Sequence, residues 1–294
     1  MNYPPTVIYH KSDYDGIFCR EIAKKFLPDA ELIGWEYGET CPAVPESSQL
    51  YILDLSVPEL MDRPGLIWID HHKSAIDKYP KDIVGYRIDG VAACRLAWQW
   101  FMHCALPDHD GHELPSKEDY VERKVIEPFA VRLAGEYDIW DRRDERAELF
   151  QHGLRSQELT DEVWSELLEP KAQIGFAHRV QVLLTQGKAI QFYQRKQDAN
   201  LMLSRGFELT WEGLRFLCVN TGRFNSLTFD SAVKPEHEAL LGFAWNGPQG
   251  KWTVSLYHAP HRTDLDLSVI AVKYGGGGHR GACGFTCDTL PFPL

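Results

Sequence analysis

Leu66-Ile67-Trp68-Ile69-Asp70-His71-His72-Lys73 is an apolar run that ends in one carboxylate and two imidazoles. Apolar residues in an unbroken row, rich in β-branched and aromatic side chains, read as a buried strand. The charged triplet then falls at the carboxyl end of that strand, the edge of an open parallel α/β sheet where ligands bind. Taken alone, the triplet is equally consistent with a surface turn.

The same arrangement recurs along the first half of the chain. Thr6-Val7-Ile8-Tyr9 reads as a strand, followed by His10-Lys11-Ser12-Asp13-Tyr14-Asp15-Gly16 and a helical pattern through Ile17, Cys19, Ile22, Ala23 and Phe26. An Asp-x-Asp pair in front of a helix also serves simple N-capping. A second strand is expected at Glu31 to Trp35 and a third at Gln49 to Leu53, which delivers Asp54 and Ser56. Leu66 to Ile69 is the fourth and Ile83 to Ile88 the fifth, followed by a helix from Val91 to Cys104 whose Leu96, Trp100 and Phe101 belong to the core. A further helix over Tyr120 to Ala134 leads into Gly135-Glu136-Tyr137-Asp138. By itself Asp138 is a helix-end residue. Residues 107–117, with His109 and His112 near His103 and among Asp108, Asp110 and Glu113, read as a solvated loop.

Residues 160–205 are mostly polar with helical spacing, Leu183, Ile190 and Tyr193 marking a buried stripe. The texture then changes. Strand-like runs follow at Phe207 to Trp211, Leu214 to Val219, Ala239 to Trp245 and Trp252 to Tyr257, with Asn246-Gly247-Pro248 as a hairpin turn. A helix over Leu265 to Val272 meets the glycine-rich loop Gly275 to Phe285. The expected architecture is α/β: a parallel-sheet domain over residues 1–170, a helical connector over 171–205, and a smaller mixed-sheet α/β domain over 206–294.

A chain of 294 residues accommodates two such domains. With 44% hydrophobic and 25% charged residues and no apolar run near the roughly 20 needed to span a bilayer, a soluble protein is expected. Met1 to Pro5 carries no secretion signal, so a cytoplasmic location is expected. Seven scattered cysteines lack zinc or disulfide spacing and read as packed thiols. A net charge of -11 argues against gripping long nucleic acid through phosphate neutralisation, yet suits divalent cations.

His10, Asp13, Asp15, Asp54, Asp70, His71, His72 and Asp138 all fall just after expected strands or helices and converge on one sheet edge. Carboxylate oxygens mixed with imidazole nitrogens suit two divalent ions, Mn²⁺ first, with Mg²⁺ or Co²⁺ as alternatives. An aspartate shared between the two would hold them roughly 3.5–4 Å apart.

In the order and spacing of His10 to Gly16, Leu53-Asp54, Asp70-His71-His72, Asp138 and Gly275 to Phe285, nearly the whole chain resembles the DHH phosphoesterase superfamily. The matching subgroup carries the DHH-associated C-terminal domain and includes nanoRNase-like and RecJ-like enzymes. The resemblance implies that His10, Asp13 and Asp54 hold one metal, that Asp15, Asp54, His71 and Asp138 hold the other, and that Asp54 bridges. It further implies that His72 faces the scissile phosphate, that Asp70 orients an imidazole, and that Gly275, Gly276, Gly277, Gly278, His279 and Arg280 bind substrate. His10 and Asp13 stand one residue closer together than in many relatives. Tyr257 and His258 stand where many relatives carry a strand arginine, with Arg262 or Arg280 as substitutes.

The implied activity is hydrolysis of phosphodiester or phosphomonoester bonds in short oligonucleotides or small nucleotides. The alternatives are a RecJ-like single-strand exonuclease and a nucleotide-binding regulatory module that does not hydrolyse. Every expected acid is present, which favours hydrolysis, and the charge and length leave no obvious groove for a long strand. Assembly as a homodimer is left open.

Overall fold

The structure is a computed structural model, and it describes residues 3–104, 113–169 and 178–293. The expected loop residues Asp108, His109, Asp110 and His112 lie outside the described residues, as do residue 170 and residues 171–177 of the expected connector. Two compact units divide the chain, Met1–Ile190 and Gln191–Leu294.

In the first unit, strands β1 (Thr6–His10), β2 (Glu31–Trp35), β3 (Leu50–Leu53), β4 (Ile67–Asp70) and β5 (Val84–Arg87) form a five-stranded sheet in the order β2-β1-β3-β4-β5. Every pairing is parallel. Because side chains alternate along a strand, Val7, Leu53 and Ile69 enter one core while Ile8, Ile52 and Trp68 enter another. Each such fully buried side chain is worth about 1.5–3 kcal/mol, and coverage of both faces is what a parallel sheet requires. The first core is filled from α1 (Tyr14–Phe26), α3 (Ala93–Cys104), α5 (Phe129–Asp138), α6 (Arg146–Leu154) and α7 (Asp161–Leu167). Phe18 of α1, for example, meets Trp164 of α7 edge-on at 4.9 Å. Chain order reverses at β1, which lies between β2 and β3, so a crevice opens at the carboxyl ends of β1 and β3.

The single helix expected over residues 120–134 is instead two, α4 (Lys117–Val121) and α5. Arg123 adopts φ +57 between them, and Pro128, which lacks an N–H, precedes α5 as its N-cap. Helix α5 then runs on past Ala134, which places Asp138 in its last turn. Helix α6 was not read from the sequence, although its buried Ala147, Phe150, Gln151 and Leu154 carry helical spacing.

Helix α8 (His178–Arg205) leads into the second unit. There β6 (Phe207–Trp211), β7 (Leu214–Asn220), β8 (Ala239–Asn246), β9 (Lys251–His258), β10 (Gly277–His279) and β11 (Ala282–Cys287) form a sheet ordered β10-β11-β9-β8-β7-β6, with α9 at Ser268–Lys273. The sheet is mixed: β7 and β8 pair in parallel and the other pairs are antiparallel. The glycine-rich stretch, expected as a loop, folds into the β10–β11 hairpin at the sheet edge. Among the described residues, no helix is long and apolar enough to cross a membrane.

Candidate metal centre

The first polar side chains arrive with β1. His10 ends the strand, and Asp13 caps α1 by accepting the Gly16 amide at 3.0 Å on Oδ1. A Cβ on Gly16 would stand 1.9 Å from the His10 carbonyl oxygen, so glycine alone lets the helix start this close to the strand. The other Asp13 oxygen, Oδ2, lies 2.8 Å from His10 Nδ1. Asp15, buried in the first turn of α1, accepts the amides of Ala93 and Cys94 at the start of α3, each at 2.8 Å. Capping and site formation therefore coexist in the Asp-x-Asp pair, carried for Asp13 by different oxygens of one carboxylate.

Asp54 follows β3 with φ +64, a left-handed conformation sparsely populated outside glycine and held by its amide donating to Ile69 at 2.9 Å. Its side chain is 1% exposed. One oxygen, Oδ2, lies 3.5 Å from His10 Nδ1, and the other, Oδ1, lies 3.4 Å from His71 Nε2. His71 Nε2 is also 3.6 Å from Asp15 Oδ2 and 3.3 Å from Asp138 Oδ2. Neither Asp54 oxygen has a hydrogen-bond partner, and nor has His10 Nδ1. A buried polar atom left unpaired costs about 1–3 kcal/mol, more when charged. Two facing sets of ligand atoms result, His10–Asp13–Asp54 and Asp15–His71–Asp138, each set within 4.8 Å. Orphaned oxygens and nitrogens turned toward one another fit a pair of divalent cations. Asp54, His71 and His72 form a third such set, so His72 stands nearer to ligand positions than its expected role alone requires.

The electrostatics agree. Burial pushes the Asp54 and Asp138 carboxyls well above the usual range, and the neighbouring Asp15 charge adds to it. Burial opposes protonation of His10, but Asp13 and Asp54 outweigh it and hold its pKa up at about 11. Without a cation, the centre takes up protons instead.

Asp70 is fully buried at the end of β4. Its Oδ1 accepts the amides of His71 and His72 at 2.6 and 3.0 Å and faces His72 Nδ1 at 2.7 Å. That carboxylate raises the His72 pKa against the effect of burial. One residue not singled out from the sequence also belongs here: Glu36, directly after β2, reaches His10 Nε2 at 3.1 Å. The signal was available, since Glu36 is an acid immediately after a strand like Asp54 and Asp70.

In the second unit, Gly275 and Gly278 adopt φ +80 and +129, and His279 and Arg280 are exposed on the hairpin. Arg280 donates to the Asp264 carbonyl at 3.2 Å and lies 3.4 Å from Asp266. Arg262 is taken up by Glu238 and Asp264, which leaves Arg280 as the more available of the two expected substitutes.

No protein-family model and no curated protein matches the chain. Solved structures do. The DHH domain of a protein from a ribosomal-protein family aligns over 95% of this chain and 82% of its own, at 14% identity and a TM-score of 0.56. An exopolyphosphatase-related protein from Bacteroides fragilis aligns over 99% and 88%, at 13% identity and a TM-score of 0.51. A pGpG-specific phosphodiesterase from Vibrio cholerae aligns over 96% and 92%, at 12% identity and a TM-score of 0.49. The chain has the fold of the DHH-domain proteins.

Proposed function

We propose that this protein is a cytoplasmic phosphohydrolase that uses two divalent ions, Mn²⁺ first among them, to cut phosphoester bonds of short oligonucleotides or small nucleotides. The observation that carries the reading is Asp54, a buried carboxylate whose two unpaired oxygens face two different sets of ligands. In this reading His10 and Asp13 complete one set, and Asp15, His71 and Asp138 complete the other. Such a pair of ions activates water and neutralises the charge that builds on the phosphoryl oxygens.

The chain's own groups do the rest. Asp70 accepts a hydrogen bond from His72 Nδ1–H, which fixes the ring and leaves Nε2–H to donate to a phosphoryl oxygen or pass its proton to the departing one. Asp70 raises the His72 pKa against burial, which favours the protonated ring. In the second unit, Gly275 to Gly278, His279 and Arg280 are the proposed substrate-binding residues, with the Gly275 and Gly276 amides already donated to Val272 and Ala271. The net charge of -11 supports a short substrate, since a long strand requires a basic track.

The test is kcat/KM with Mn²⁺ on oligonucleotides from two to about twenty residues, at low and high salt. The expected optimum is at the short end, with a shallow salt dependence. Rates that climb with length and collapse with salt would instead indicate a processive exonuclease. Gly277→Asp serves as a companion variant, because a Cβ there meets no atom within 4 Å. It should raise KM by repelling phosphate while metal content stays at the wild-type level.

A further inference from the structure

Glu36 sits in the turn that follows β2, and His10 is the residue it serves. The ring of His10 is 15% exposed and has two faces to its chemistry: Nε2 meets Glu36 Oε2 at 3.1 Å, while Nδ1 has no hydrogen-bond partner and points at Asp13 Oδ2 and Asp54 Oδ2. An imidazole can ligate only through a nitrogen that carries no proton, so the proton must be held on the other one. We propose that Glu36 is a positioning residue that holds the proton on His10 Nε2 and so keeps the Nδ1 lone pair turned to the metal side. This rests on the two-metal reading and adds to it a residue outside the ligand set.

The carboxylate is itself held in place. Glu36 Oε1 accepts the Tyr37 amide at 2.9 Å, and Oε2 also accepts the Ser12 hydroxyl. The Glu36 amide donates to Glu39 Oε2 at 3.1 Å, and Glu39 pairs with Lys11 at 2.5 Å. Tyr37 in turn accepts the Ser56 amide on its hydroxyl at 3.1 Å, two residues beyond Asp54. The turn after β2 is thus clipped to the loops after β1 and β3, both of which deliver site residues. An ordinary surface ion pair contributes about 0–1 kcal/mol and orders little. This one is anchored at both ends and ends on an imidazole with an orphaned nitrogen.

Calorimetric titration of the metal-free protein with Mn²⁺ tests the assignment. Wild type should bind two ions, and Glu36→Ala should weaken one of them roughly 10- to 100-fold while the other changes little. Glu36→Met, similar in length and without an acceptor, is the second loss variant should alanine fail to fold. Glu36→Gln still offers an amide oxygen to Nε2–H and should recover most of the affinity. Glu39→Gln removes the ion pair with Lys11 while keeping an oxygen for the Glu36 amide, and should bind like wild type. Long-range ¹H–¹⁵N spectra of the Mg²⁺-loaded proteins should show His10 protonated on Nε2 in wild type and Glu36→Gln, with that signature lost in Glu36→Ala. Unchanged affinity and spectrum in both loss variants would overturn the proposal, as would an equal loss in Glu39→Gln. A wild type that takes up no Mn²⁺ would sink the two-metal reading itself, and the wild-type titration alone separates that result from a failure of Glu36.

Discussion

Two groups of carboxylates lie in the first unit, and they are treated in opposite ways. Around α3 and α5, each acid meets guanidinium groups. Glu127 is gripped in a fork by Arg95, with both side chains buried, Glu136 receives Arg123 and Arg132, and Asp144 receives Arg132 and Arg146. At the strand ends and the helix ends beside them, Asp13, Asp15, Asp54, Asp70 and Asp138 face imidazoles and backbone amides, and none is in an ion pair with a lysine or arginine among the described residues. The titration follows the partner. Burial works against Asp144, yet Arg146 and Arg132 bring it down to about 2, whereas burial and the Asp15 charge push Asp54 and Asp138 up. The first group is neutralised by the chain's own cations; the second is the group the proposed function assigns to metal ions.

Asp54→Asn breaks the second group at its centre. Both ions should be lost together and activity should fall by more than roughly 10²- to 10³-fold, while the metal-free protein melts no lower than wild type because asparagine matches the carboxyl in size and cannot ionise. Metal analysis, turnover and a melt on the same preparation check this; two ions retained with near-normal turnover would remove Asp54 from the bridging position. Glu127→Ala breaks the first group. It strands Arg95 in the interior and should cost about 3–5 kcal/mol in urea denaturation, with metal stoichiometry per folded chain unchanged.

His72→Ala sharpens the boundary between ligand and acid. Turnover should drop about 10²-fold with both ions retained, and metal loss in that variant would move His72 into the Asp54–His71–His72 ligand set. The smallest effect is that of pH. Asp54 and Asp138 have folded pKa values above the unfolded one, so in the metal-free protein their contribution is greatest at low pH and is lost as pH rises through those values. His10 has the same sign, present below its ordinary 6.5 and lost on the way to about 11. Asp144 is silent in this window, since its contribution disappears only as pH falls toward 2. Tm with chelator should therefore decline from pH 5 to 8. With Mn²⁺ the slope should reverse, since ion binding displaces these protons by up to about tenfold in affinity per pH unit for each one released. Parallel slopes with and without metal would argue that the centre binds no cation.

Much of this was written in local pattern. Alternation and apolar runs predicted all five strands of the first sheet to within about a residue or two, and Asp54 and Asp70-His71-His72 stood out because strand ends are where a parallel sheet exposes its crevice. Asp138 was the weakest of these signals, since the helical pattern was read only as far as Ala134, and only packing against the first core carried α5 four residues further. Glu36 follows a strand as the other acids do, but that position says nothing about which imidazole it meets. That pairing spans 26 residues and exists only because β2 lies beside β1 in the sheet. The sequence by itself determined the α/β class, the strand ends and the residue types assembled there. Which oxygen of Asp54 faces which imidazole, and which acids receive arginines, was decided by tertiary structure, because charge pairing at 3 to 4 Å depends on contacts between segments far apart in the chain.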